Sequence, residues 1–186
     1  MSKALKKDAS YADLCAVPED FVAEILAGEL YATPRPGVRH VRVASTLGIL
    51  LGGPYQLGIN GPGGWLILDE PELHLRKDVV VPDIAGWRCE RMTEDSDAAY
   101  LTVAPEWLCE VLSPATEKID RGRKLKIYAR ERVGHAWLLS PIGRTLEIWY
   151  LDRQKWQLIA THGGGERVRA EPFGAVELAL DELRPR

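Results

Sequence analysis

The chain has 186 residues, 24 of them basic and 27 acidic, for a formal net charge of −3. A hydrophobic share of 46 % and a charged share of 27 % are those of a soluble globular protein, and 17 glycines with 12 prolines fall short of low-complexity sequence. Disorder, a collagen-like fibre and a disulfide scaffold are thereby excluded, and the acidic balance argues against a protein that coats nucleic acid non-specifically. One domain, spanning residues 1–186, is expected at this length.

Ser10 is a plausible N-cap for a short helix reaching Leu14. Pro18, Glu19 and Asp20 read as the start of a second helix, with Phe21, Ile25 and Leu26 as its apolar stripe and Gly28 as its stop. A brief strand, Leu30 to Thr33, leads to the Pro34–Gly37 break. From Val38 to Leu51 the apolar spacing fits a helix better than alternation. Trp65–Leu68, Glu72–Leu75, Val79–Ile84 and Trp107–Leu112 are short runs bounded by Gly, Pro, Asp or Ser and read as strands. Glu117 to Val133 is the clearest helix, free of proline and rich in Lys, Arg, Leu and Ala. Ala136–Leu139, Thr145–Leu151 and Lys155–Ala160 complete the strands. The pattern predicts an α+β or mixed α/β sandwich.

Cys15, Cys89 and Cys109 match no zinc spacing and are expected to be small buried hydrophobes. Lys3, Lys6 and Lys7 precede no apolar core of a secretory signal, and no run approaches the ~18 apolar residues of a membrane span. A cytoplasmic, reduced protein with no membrane partner is the expectation. Arg35, Arg39 and Arg42 read as a solvated face, and the tryptophans, mostly at strand positions, as core rather than base-stacking platforms.

Phosphate-cradling, dinucleotide, zincin and nucleophile-elbow motifs are all absent from the sequence, and its four histidines are scattered. The chemistry therefore falls to acidic residues. Asp83 closes the apolar run Val79-Val80-Val81-Pro82, and Glu110 lies inside Trp107-Leu108-Cys109-Glu110-Val111-Leu112. A carboxylate among apolar strand residues is costly unless it is paired or binds a metal. Two such groups on neighbouring strands repel each other, and a hard divalent cation reverses that repulsion.

Pro82-Asp83, Glu110-Val111-Leu112-Ser113-Pro114, Asp120-x-x-x-Lys124-x-x-x-Tyr128 and Trp137-Leu138-Leu139, preceded by Gly28-Glu29-Leu30 and His40, form one ordered set. Between about Tyr11 and Leu151 the chain resembles the Uma-two family of endonucleases, within the restriction-endonuclease-like, PD-(D/E)XK superfamily. The resemblance implies a central mixed β-sheet flanked by helices and hydrolysis of DNA phosphodiester bonds with Mg²⁺, or Mn²⁺ in its place. By position, Asp83, Glu110 and Glu29 would hold the metal. Leu112 stands where the superfamily has its lysine, and Lys124 on the next helix would supply that amine. Lys126 points about 200° around the helix from it. His40 and Asp120 would support the site, His40 by contacting phosphate or orienting Glu29, and Arg121, Arg123 and Lys126 would lie along the nucleic acid. A homodimer is expected because a double-strand cut needs two sites. A non-catalytic binding module on the same fold is the rival reading, and a carboxylate-pair glycosidase a weaker third.

Overall fold

The computed structural model describes residues 4–92 and 97–183, so Lys3 of the basic N-terminal group lies outside the described residues. After β1 (Lys6–Lys7), Ser10 caps α1 (Tyr11–Cys15). The Asp13 amide donates to the Ser10 hydroxyl, and the Asp13 carboxylate accepts from the Ser10 amide.

The segment after Pro18 is not a helix. Phe21–Leu26 is a strand, β2, that turns back through Ala27 and Gly28 into β3 (Glu29–Pro34). Both turn residues have positive φ, 54° and 79°, the geometry that matches the twist of a tight hairpin. Gly28 closes this hairpin instead of ending a helix. β2 runs between two other strands, and its Ile25 and Leu26 enter different hydrophobic clusters. Burial on both faces hides the alternation by which a strand is recognised.

The predicted helix α2 (Val38–Leu51) forms over its whole length and continues into a wide π turn, Gly52–Gln56. Next come β4 (Trp65–Asp69), β5 (Leu73–Leu75), β6 (Asp78–Val80) and β7 (Ile84–Arg88). The strand expected over Val79–Ile84 is thus broken at Val81-Pro82-Asp83, where Pro82 has no amide to give a ladder. β8 (Trp107–Val111) follows. The long helix expected from Glu117 is α3 (Glu117–Ile119), a π turn at Asp120–Lys124 and α4 (Leu125–Arg130). It stops short of Val133 because Arg132, at φ 61°, reverses the chain. β9 (His135–Ser140), β10 (Thr145–Asp152), β11 (Lys155–Gly163) and the short pair β12 (Arg167–Val168) and β13 (Leu178–Ala179) complete the elements used below.

A six-stranded sheet, ordered β11-β10-β9-β8-β7-β4, is central and mixed: β8 and β9 are parallel and the other neighbours antiparallel. On one face Trp107, Cys109 and Val111 pack with Val43, Leu47 and Leu51 of α2 and with Phe173. On the other, Leu108, Ala136 and Leu138 meet Leu125, Ile127 and Tyr128 of α4 together with Leu26, Leu73 and Val80. Those last three belong to a five-stranded sheet, β1-β3-β2-β6-β5. One flank is therefore helical and the other is shared by a second sheet. Trp87, Trp107 and Trp137 are fully buried, as core residues. Of the cysteines Cys109 is buried, but Cys15 and Cys89 are exposed: one ends a helix whose buried residue is Leu14, the other starts a surface turn after β7.

Candidate active site

Strand register brings the first two acids together. Ile84 pairs with Cys109 in the antiparallel β7–β8 ladder, so one step further Asp83 stands beside Glu110. The Val111 amide donates to Asp83 Oδ2 at 2.6 Å and fixes that carboxylate at the end of the ladder. Alternation along β8 turns Glu110 towards α4, where it is 2 % exposed and meets no solvent-facing surface. There the Tyr128 hydroxyl donates to Glu110 Oε1 at 2.6 Å.

Lys124 arrives from the π turn. Its Nζ lies 2.9 and 3.0 Å from the two Glu110 oxygens and donates to the Val81 carbonyl at 3.0 Å. Leu112, where the superfamily lysine would stand, is buried in the apolar layer on that side of the sheet. Asp120, at the start of the same turn, is 3.9 Å from the ammonium.

The third acid beside this ammonium is Glu24 rather than Glu29. Glu24 Oε1 accepts the Val81 amide at 2.8 Å and lies 3.0 Å from Lys124 Nζ. Glu29 sits at the end of the hairpin opposite Leu26, where it accepts from the Tyr31 hydroxyl at 2.8 Å and pairs with Arg123 at 2.9 Å. Glu24, Asp83, Glu110, Asp120, Lys124 and His40 all line one cleft of about 270 Å³, and Glu29 does not. The rule that singles out Glu110, a carboxylate within an apolar strand, also singles out Glu24 once Phe21–Leu26 is a strand. Tyr128, which had no expected role, was among the residues that carry the family resemblance.

His40, near the start of α2, places Nε2 3.4 Å from Asp83 Oδ1 and so orients towards Asp83, not Glu29. Burial pulls its pKa down, but the hydrogen bond and charge of Asp83 outweigh burial and set it above the ordinary histidine value. The basic run is divided. Arg121 donates to both oxygens of Glu147, at 2.8 and 2.7 Å, and to Glu117 at 2.8 Å. Arg123 is exposed and paired with Glu29, and Lys126 is exposed on the helix face away from the cleft.

The electrostatics have one theme. Burial lifts Glu110 well above the usual carboxylate range, Lys124 opposes that rise, and Asp120, Asp83 and Glu24 add to it. Burial also lifts Asp120, to about 6. For Lys124 burial works against the charge, but Glu110 and Glu24 prevail and hold it protonated well beyond the ordinary lysine value. Three carboxyl groups, of Glu110, Glu24 and Asp120, lie within 4 Å of the one ammonium, and Asp83 lines the same cleft, so acids outnumber the lysine there. Among the described residues no three His, Cys, Asp or Glu side chains are preassembled as a cage, because the ammonium stands between Glu110 and Glu24. The donor set nevertheless fits a hard divalent ion: carboxylate and carbonyl oxygens, with charge to spare.

Among the described residues no helix is long and apolar enough to cross a membrane. No curated protein matches the chain. The fold is shared with a crystal structure described as "a putative nuclease belonging to DUF820" from Anabaena variabilis ATCC 29413, with a TM-score of 0.71 at 17 % identity over 94 % of this chain and 97 % of that one. The Uma2 family, described as "Putative restriction endonuclease", matches residues 8–181, nearly the whole length, and the chain belongs to that family.

Proposed function

We propose that the chain is a Mg²⁺-dependent endonuclease that hydrolyses phosphodiester bonds in DNA, with Mn²⁺ able to replace Mg²⁺. One observation carries the reading: Asp83, Glu110 and Lys124, from three separate segments, line the same cleft, with Lys124 Nζ 2.9 Å from Glu110. Membership of the Uma2 family supports it.

Asp83 and Glu110 would hold the ion, with Glu24 as the third acid in place of Glu29. A bound divalent ion supplies Lewis acidity towards water and a phosphoryl oxygen. The chain's own residues do the rest. Lys124 offsets charge that develops on the phosphate. His40, kept protonatable by Asp83, donates to a phosphate oxygen at the cleft mouth, and Asp120 keeps Lys124 turned inward. Arg123 meets the nucleic-acid backbone, whereas Arg121 is committed to Glu147 and Glu117 and Lys126 faces away from the cleft. A cut through both strands calls for a homodimer, and the unpaired cysteines suit a reducing cytoplasm.

The test is nicking of supercoiled DNA with and without Mg²⁺. Asp83→Ala and Glu110→Ala each abolish Mg²⁺-stimulated cleavage while the circular dichroism spectrum is retained. Unchanged cleavage in both variants removes the reading. The rival reading, a non-catalytic binding module, draws on the saturation of Glu110 by Lys124 and Tyr128. DNA binding without any calorimetric affinity for Mg²⁺ or Mn²⁺ selects it.

A further inference from the structure

Lys124 is held in an unusual way for a hydrogen-bond donor. An ammonium has three protons to give, yet four oxygens lie within 3.0 Å of Nζ: both of Glu110, Oε1 of Glu24 and the carbonyl of Val81. Such a shell of carboxylate and carbonyl oxygens suits a point charge more than a set of directed bonds, and it is the donor chemistry that Mg²⁺ selects. Mg²⁺ takes each oxygen at about 2.0–2.1 Å. Two cations sharing the Glu110 carboxylate repel each other across a few ångströms in a buried site.

The segment that carries Lys124 is a π turn outside the sheet. Lys124 ends the π turn Asp120–Lys124, closed by the Leu125 amide donating to the Asp120 carbonyl. A π turn holds one residue more than the α turn it replaces, and such turns recur at functional sites. Gly122, at its centre, has nothing within 4 Å of the position a Cβ would take, so no neighbouring element packs onto the turn at that point.

We propose that Lys124 competes with a divalent ion for the same oxygens: its ammonium holds Glu110 and Glu24, gives up Glu110 when such an ion binds, and on release becomes available to phosphate in the same cleft. The amine is then delivered to phosphate when the site is loaded. This inference rests on the nuclease reading for the purpose of the released amine, but not for the displacement itself.

The experiment is titration calorimetry of the chelator-stripped full chain with MgCl₂ and MnCl₂ at pH 8, comparing wild type with Lys124→Met and Lys124→Arg. With the competing charge gone, Lys124→Met binds the ion tighter by on the order of tenfold or more, whereas Lys124→Arg gains nothing. Equal or weaker binding by Lys124→Met overturns the proposal. Should that variant fail to fold, wild type with ¹³C-labelled lysine decides the matter. The Lys124 ε-methylene signal, assigned by its loss in Lys124→Arg, then shifts and saturates over the same Mg²⁺ range as the heat. A signal that stays in place through saturation overturns the proposal as well. Wild type that binds Mg²⁺ and cuts DNA, with Lys124→Met no tighter, removes the displacement and leaves the nuclease reading standing. Tighter binding by Lys124→Met without DNA cleavage by wild type does the reverse. No Mg²⁺ or Mn²⁺ affinity in either wild type or Lys124→Met removes both.

Discussion

Asp120 gives the sharpest test of what burial does to charge in the cleft. Its carboxyl is 4 % exposed, and burial raises its pKa from 3.8 to about 6 despite Lys124 nearby. A carboxyl whose folded pKa exceeds its unfolded value favours folding while protonated, below about pH 4, and loses that contribution as pH rises through about 6. At 1.36 kcal/mol for each unit, the ionised Asp120 costs the fold on the order of 3 kcal/mol at neutral pH. Asp120→Asn keeps the shape and removes the charge. Urea denaturation in chelator should therefore find Asp120→Asn more stable than wild type at pH 8, by about 1 to 3 kcal/mol. The gap should close between pH 6 and 4, because wild type takes up its proton there. A variant less stable than wild type at pH 8, or a difference that is the same at pH 4 and pH 8, would refute the argument that burial of the Asp120 carboxyl outweighs the pull of Lys124.

Two further outcomes separate the acids and the arginines. Glu24→Gln keeps the acceptor for the Val81 amide but loses its charge beside Lys124, and DNA cleavage should fall by about a hundredfold, while Glu29→Gln stays within about twofold of wild type; single-turnover rates in Mg²⁺ give the comparison, and the opposite ranking would restore Glu29 to the site. Arg121→Ala breaks the bonds to Glu147 and Glu117, which partial exposure limits to about 1 kcal/mol of stability. Its DNA affinity should keep the wild-type slope against salt, and a slope shallower by about one counterion, with stability unchanged, would return Arg121 to the nucleic-acid interface.

Much of the architecture was legible in the sequence where one local signal dominates. Ser10 followed by Asp13 announces a capped turn, and the apolar positions from Val38 to Leu51 can bury one face in a helix but not in a strand. The sequence misleads where two signals compete. Around Phe21–Leu26 the Pro-Glu-Asp start and the spacing of Phe21, Ile25 and Leu26 imitate a helix, yet the segment is an inner strand whose order comes from β3 and β6. With that strand unseen, the place of Glu24 beside Lys124 stayed hidden. Arg121 and Arg123 look free along the chain because the acids that hold them, Glu147 and Glu29, are distant in sequence. The π turn has no composition of its own. Asp83, Glu110 and Lys124 were readable as an ordered set, since the cost of burying charge marks two of them and the family resemblance marks the third.

The position of the lysine is the step that links fold to chemistry. At Leu112 a lysine would extend from the end of β8, tied to the same rigid ladder as Asp83 and Glu110, and its amine would move only with the sheet. Leu112 instead completes the apolar layer beneath α4, which removes the desolvation cost of a charge there. The amine comes from a turn outside the sheet, held by Glu110, Glu24 and the Val81 carbonyl. Two consequences follow from that transfer. The carboxylates keep their register whatever the lysine does, because strand pairing and the Val111 amide fix them. The lysine in turn becomes responsive to charge in the cleft, since its place depends on the oxygens that a cation would claim.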